Sequence, residues 1–248
     1  MKTWLFLRGW AREARHWGEF PAQFRAAMPD ARIVEIDPPG GGRFYDGRSV
    51  FSVEAMVEHA REWLRAQGSS PPYHLLGLSL GGMVSLDWAS RHPGEVAGCV
   101  VLSTSLRSFS AFHERILPRN YAALARIFFE RDAASRETAI YRLTSSGEPS
   151  PVIVSDWTRY AQEQPMSRTN ALRQLVAAAR YRGPAEPPRV PILVLAGAGD
   201  RLVDPRCSEA LARAWKLPIQ VHPSAGHDLA LDDGPWVASQ VKRWLSPG

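Results

Sequence analysis

Three residue types that together carry out acyl transfer stand at the ends of short apolar runs in this chain: Ser79, Asp200 and His227. A serine hydroxyl is a weak nucleophile near neutral pH. It needs a base to take its proton and an acid to orient that base. Ser79 sits in Gly77-Leu78-Ser79-Leu80-Gly81, directly after the apolar run YHLLG and directly before the helical stretch GGMVSLDWASRH. That context predicts a tight strand-to-helix turn with small neighbours, on which the hydroxyl projects from the sheet edge at a helix N-terminus. A plain Gly/Ser turn or a phosphate-cradling loop would use the same residues. However, no GK[ST] follows, and the run Gly40-Gly41-Gly42 also lacks its lysine.

The partners are read from position. Asp200 ends ILVLAGAGD, and His227 lies in SAGHD just past IQVHP, so both are expected at strand C-terminal ends on the same sheet edge as Ser79. Asp204 is a nearby rival for the acid, and a loop cap is the bland alternative for Asp200. Among the other histidines, His92 ends a helix and His222 lies inside a strand. His16, His59, His74 and His113 have no matching context.

These positions require a particular set of elements. The runs Thr3 to Leu7, Arg32 to Ile36, Tyr73 to Leu78, Val96 to Ser103, Ile192 to Ala196 and Ile219 to His222 are short and bounded by Gly, Pro or Asp, the pattern of strands buried on both faces. Helical stretches alternate with them: Phe20 to Ala27, Val53 to Gln67, Gly81 to His92, Cys207 to Trp215 and Pro235 to Leu245. In Val53 to Gln67 the residues Val53, Met56, Val57, Ala60, Trp63 and Leu64 recur at helical spacing. Such alternation predicts an α/β fold with a doubly wound, mostly parallel sheet of about six strands.

The alternation breaks after Ser103. Tyr121 to Glu130, Ala133 to Leu143, Val152 to Gln162 and Arg168 to Tyr181 all read as helix, and strands resume after AEPPRVP. A division follows, with residues 1–105 and 184–248 as the core and 106–183 as a helical cap inserted after the fourth strand, over the strand ends where open α/β sheets bind ligands.

Composition excludes several classes. With 45% apolar and 22% charged residues the chain is an ordinary globular domain, neither disordered nor collagen-like. No apolar run approaches the ~20 residues of a membrane-spanning helix. MKTWLFLRGW reads as a buried strand, because Arg8 interrupts the apolar run before any cleavage site. Cys99 and Cys207 form neither a disulfide framework nor a metal-ligand spacing, and a reducing cytoplasm is the expected compartment. The net charge of +5 is concentrated: Leu106 to Gly183 holds twelve Arg against seven Asp and Glu. The cap arginines, such as Arg126 and Arg131, read as a solvated outer face, with Leu124, Ile127, Phe128 and Phe129 packed on the sheet domain. The alternative is that some of them steer anionic substrates to the entrance.

Taken together, the elbow GLSLGG, the acid loop GAGD and the histidine loop GHD resemble the α/β-hydrolase superfamily over nearly the whole chain, in the order Ser, Asp, His. RGW followed by DPPGGG, the elbow and a helical cap is similar to small cap-bearing carboxylesterases of the pimeloyl-ester esterase kind. Most relatives have His before the first-loop glycine, where this chain has Arg8. The resemblance implies an ester hydrolase acting on a small-molecule ester through an acyl-enzyme, without metal or organic cofactor. Ser79 is then the nucleophile, His227 the base and Asp200 its orienting acid. Negative charge develops on the carbonyl oxygen during acyl transfer, and each preorganised backbone N–H there contributes about 3 kcal/mol. Leu80 and Trp10 are the implied donors. An Asp nucleophile, as in epoxide hydrolases and haloalkane dehalogenases, is excluded by Ser79. Thioesterase, lactonase, C–C hydrolase and acyltransferase remain open.

Two readings from other classes are weaker. RGWAREARHW interleaves arginines with tryptophans in a way that suits single-stranded nucleic acid, but it leaves the Ser79, Asp200 and His227 constellation unused, and a solvated helix face explains the arginines. A non-catalytic binding module on a hydrolase fold is disfavoured because all three residue types are intact.

Overall fold

The computed structural model describes residues 1–246, so the last two residues of the 184–248 segment lie outside the described residues. Six strands form one sheet in the order β2-β1-β3-β4-β5-β6. They are β1 (Lys2–Leu7), β2 (Ala31–Ile36), β3 (Tyr73–Leu78), β4 (Val96–Leu102), β5 (Ile192–Gly197) and β6 (Ile219–His222). Every pairing is parallel. The register aligns Leu7 with Gly77, Leu78 with Leu102, Leu102 with Leu195 and Gly197 with His222. All six strands therefore end on one edge, and the loops that follow them share one side of the molecule.

Period-two alternation along β1 separates the two faces. Trp4 and Phe6 pack with Phe20 and Phe24 of α1 (Phe20–Ala27) and with Val237 and Val241 of α10 (Leu229–Leu245). Leu5 and Leu7 pack on the other side with α2 (Val53–Ala66), α3 (Leu80–Arg91) and α9 (Arg206–Trp215). The central strands β1, β3, β4 and β5 are buried on both faces as expected. β2 and β6 are only partly buried, with Val221 40% exposed, because an edge strand has a neighbour on one side only.

Between β4 and β5 the chain forms five helices: α4 (Phe112–Arg115), α5 (Tyr121–Phe129), α6 (Ala133–Thr144), α7 (Pro151–Glu163) and α8 (Arg168–Arg180). α6, α7 and α8 each begin at a side-chain cap, from Asp132, Ser150 and Ser167. The short α4 escaped the periodicity reading because a single turn carries no period. α10 starts earlier than Pro235: Asp228 caps a first turn, and the helix kinks at Asp233, whose φ is −152°, two residues before the proline. No helix among the described residues is long and apolar enough to cross a membrane.

The turn from β3 into α3 is closely packed. Gly81 lies against the end of β1, and a Cβ there would come 2.0 Å from the Leu7 carbonyl oxygen, a backbone atom with no room to retreat. Gly81→Ala is expected to destabilise by about 1–3 kcal/mol or more. Gly94→Ala, where a Cβ meets nothing within 4 Å, should stay within about 0.5 kcal/mol of wild type. Urea-unfolding midpoints of the two variants check this, and equal midpoints would contradict it.

Candidate active site

Ser79 is the N-cap of α3 and holds a φ of +55°, a left-handed conformation that a non-glycine residue adopts only when its surroundings enforce it. The turn is pinned at both ends of the residue. Its N–H donates to the Leu102 carbonyl at 2.8 Å, and its carbonyl accepts from Thr104 Oγ1 at 3.1 Å. The loop after β1 closes against this elbow: a Cβ on Gly9 would stand 3.3 Å from that of Ser79. Trp10 and Leu80, the two residues expected to offer backbone N–H groups, both border the same cavity as Ser79. The Trp10 indole Nε1 donates to the Ala171 carbonyl of α8 at 2.7 Å, so its side chain ties the loop to the helices between β4 and β5 while its backbone stays at the elbow.

Asp200 and His227 come together from loops 27 residues apart in the chain. Asp200 Oδ1 accepts from the Leu202 and Val203 N–H groups at 2.9 and 3.0 Å, which aims Oδ2 at His227 Nδ1, 2.7 Å away. With the carboxylate ionised, the network assigns the proton to Nδ1 and leaves Nε2 as an acceptor. Asp204 is occupied elsewhere. It binds Arg206 with both oxygens, and that side-chain hydrogen bond holds its carboxyl below the usual range. His92 pairs with Glu58 and His222 with Asp233, and neither borders the cavity.

That cavity, about 240 Å³, is walled by Ser79, Leu80, Trp10 and His227 on the sheet side. Leu124, Ile127 and Phe128 of α5 line it with Ile140, Leu143 and Leu175. The expectation that the α5 apolar residues pack on the sheet is therefore corrected. Three of them face the cavity, and Phe129, 68% exposed, faces outward. Arg126 and Arg131 are exposed and do not border it. Among the described residues no group of three or more His, Cys, Asp or Glu could hold a metal ion.

A second correction concerns RGWAREARHW, read as a solvated helix face. Ala14–Trp17 is a short 3₁₀ turn, and Arg8 and Arg12 are buried. Arg8 binds Asp228 with two N–H groups at 3.2 and 2.6 Å and lies 4.7 Å from the centre of the Trp17 ring. Arg12 binds Glu137 of α6 at 2.5 Å, packs over Trp157 and touches His16 Nε2 at 3.0 Å. Arg15 reaches Glu13, and Glu163 of α7. Each arginine found a distant acid, which no local pattern could reveal. Because Asp228 follows His227 directly, Arg8 ties the β1 loop to the histidine loop. Arg8 therefore contributes to holding the site that its departure from the usual His had left open.

The electrostatics of the two site histidines diverge. Burial pulls the pKa of His227 down, but the Asp200 carboxylate, by charge and hydrogen bond and with Asp228 behind it, more than offsets this and raises it above the ordinary 6.5. His16 is equally buried but faces Arg12 and Arg8, so burial and these cations hold it well below that value, as a neutral ring.

A strained serine elbow, an Asp–His pair and a shared cavity meet at the C-terminal edge of an open parallel sheet, where such sheets bind ligands. The sequence matches the α/β hydrolase fold family over residues 5–234, and the chain belongs to that family. It is 32% identical over 102 residues to the biotin biosynthesis bifunctional protein BioHC of Teredinibacter turnerae, a match covering 41% of this chain and 17% of that protein. The chain thus spans under a fifth of the length of that curated relative. Two solved structures share the fold. The esterase RhEst1 from Rhodococcus sp. is 22% identical, with a TM-score of 0.77 over 99% of this chain and 90% of that one. The enol-lactonase from Burkholderia xenovorans is 17% identical, with a TM-score of 0.79 over 98% and 91%.

The raised pKa of His227 yields a direct expectation for NMR titration of the ring resonances. In wild type His227 titrates above the ordinary value. Asp200→Asn moves it downward, since burial remains while the main raising influence is gone, and Asp204→Asn leaves it in place. A His227 that titrates at or below 6.5 in wild type would contradict the assignment.

Proposed function

We propose that the protein is a carboxylic ester hydrolase working through an acyl-enzyme on Ser79. The observation that carries this reading is the 2.7 Å Asp200–His227 hydrogen bond in the wall of the cavity that Ser79 also borders. Ser79 attacks the ester carbonyl while His227 Nε2 takes its proton, and Asp200 holds the imidazole and stabilises its charged form. The Leu80 and Trp10 N–H groups bind the oxyanion, Leu80 with the added field of the α3 N-terminus. His227 then protonates the leaving alcohol, and a water activated by the same histidine releases the acid.

Residues 106–183 act in this reading as a cap whose α5, α6 and α8 side chains form the apolar wall for the acyl or alcohol chain. The serine elbow and the Asp–His pair at one cavity support an ester substrate, on a fold shared with an esterase and an enol-lactonase. The same machinery would also cleave a thioester, a lactone or a C–C bond.

A fluorophosphonate probe should label one residue, Ser79. Ser79→Ala should abolish labelling and lower kcat by about 10⁴ to 10⁶ with the fold intact. Asp200→Asn should lower kcat by about 10³ to 10⁴, and Asp204→Asn should be nearly silent. kcat/KM should rise with pH as His227 loses its proton, along a limb centred above 6.5, not near it, because its pKa is raised. A panel of esters, thioesters and lactones on the purified protein decides the bond type. Labelling that persists in Ser79→Ala would sink the mechanism, and turnover of thioesters or lactones far above esters would reassign the substrate.

A further inference from the structure

Three arginines with buried side chains border the cavity, and they differ in one respect. Arg8 faces Asp228 and Arg12 faces Glu137, whereas Arg115, only 6% exposed, has no carboxylate partner among the described residues. Its guanidinium is held by neutral groups: Nε donates to Ser105 Oγ at 3.3 Å, Nη1 to the Ala179 carbonyl at 3.2 Å and Nη2 to the Ala178 carbonyl at 2.6 Å. Guanidinium carries five N–H donors, so two remain without an acceptor in these contacts. The two carbonyls lie at the C-terminal end of α8, whose dipole supplies a partial negative charge, about half a unit, against the full positive charge of the side chain.

Among the described residues no carboxylate stands within ion-pairing distance of Arg115. Burial lowers the pKa of Arg115, and the nearby Arg107 acts in the same direction. The Cys207 thiol is itself raised, by burial first, to about 11, and so is uncharged near neutral pH. The carboxylate-paired Arg206 shows the opposite direction. A buried cation without a counterion is unfavourable unless a ligand completes it.

Its position relates it to the chemistry. Ser105, which it touches, follows Thr104, whose hydroxyl holds the Ser79 carbonyl. Two residues beyond Arg115, the Leu117 N–H donates to the Leu202 carbonyl, in the loop that orients Asp200. Between these points the cavity wall is apolar, with Ile116, Leu202 and Val203 beside Arg115 in the lining.

We propose that Arg115 is the anchor for a carboxylate carried by the substrate, so that the preferred esters have an apolar chain ending in an acid group. This rests on the ester-hydrolase reading for its substrate, but the anion site itself is a matter of binding. The unused N–H pair gives a charge-assisted, fork-shaped contact that orients the chain in the cavity.

The test is calorimetric binding to Ser79→Ala protein, which requires no turnover. The ligands are the monomethyl esters of succinate, glutarate and adipate, each beside an uncharged methyl ester of matched chain length. At least one monoester should bind about tenfold or more tightly than its uncharged match. Arg115→Gln keeps an N–H donor at the position from which Nε reaches Ser105 but loses the charge and the terminal nitrogens, and it should abolish that preference. Arg115→Lys should retain part of it. In the active protein Arg115→Gln should raise KM for the anionic esters by a clearly larger factor than for the uncharged ones, with the difference lying in KM and not in kcat. Equal binding of charged and uncharged esters to the parent overturns the proposal whether or not the Arg115 variants fold. Equal losses for both ester classes would leave Arg115 as a clasp for α8. Failure of hydrolysis alongside intact anion preference would instead reject the ester-hydrolase reading and leave the anion site standing.

Discussion

The turn at Ser79 is the constraint around which the rest of the molecule is arranged. A serine at φ +55° is stable only because the chain on either side has no alternative. β3 is locked between β1 and β4, α3 starts at the next residue, and Gly81 is pressed onto the carbonyl that ends β1. The chain leaves β1 toward β2 on one side and returns to β3 on the other, so the loops after β1 and β3 diverge to opposite faces. A crevice opens between them at this switch in strand order. The elbow, the Gly9–Trp10 loop and the mouth of the cavity all lie there.

A second layer of the structure manages buried charge. Asp200 takes two backbone N–H groups so that its remaining oxygen can serve His227, and Arg8 spans from the β1 loop to the residue after that histidine. Arg12 and Arg15 extend the same loop to α6 and α7 through Glu137 and Glu163. Removing one member of a buried pair typically costs about 3–5 kcal/mol, so such pairs hold geometry firmly even where they add little net stability. The consequence is that loops from opposite ends of the chain are fixed relative to one another around the cavity.

The helices between β4 and β5 contribute differently. Their apolar residues face in two directions, with Leu124, Ile127 and Phe128 toward the cavity and Phe129 toward solvent, while most of the basic surplus stays outside. Of the three buried arginines that border the cavity, Arg115 alone lacks a carboxylate partner among the described residues, which makes it informative about what the cavity is shaped to receive.

Much of this was legible from local pattern. Strand and helix periods are properties of neighbouring residues, so the six strands, the main helices and the strand-end positions of Ser79, Asp200 and His227 followed from the order of residues alone. Asp200 was the acid expected from the sequence, with Asp204 its rival; what the sequence does not encode is the direction of their oxygens, which turns Asp200 to His227 and Asp204 to Arg206. The partners of Arg8, Arg12 and Arg15 lie far away in the chain, up to 220 residues for Arg8 and Asp228, and no composition rule pairs residues at that distance. Arg115 was equally invisible, since a cation without a counterion differs from a solvated one only by its burial. The local sequence determined which elements form and which residues stand at their ends. Tertiary packing decided which charges meet, because ion pairing and burial depend on separations in space that chain order does not encode.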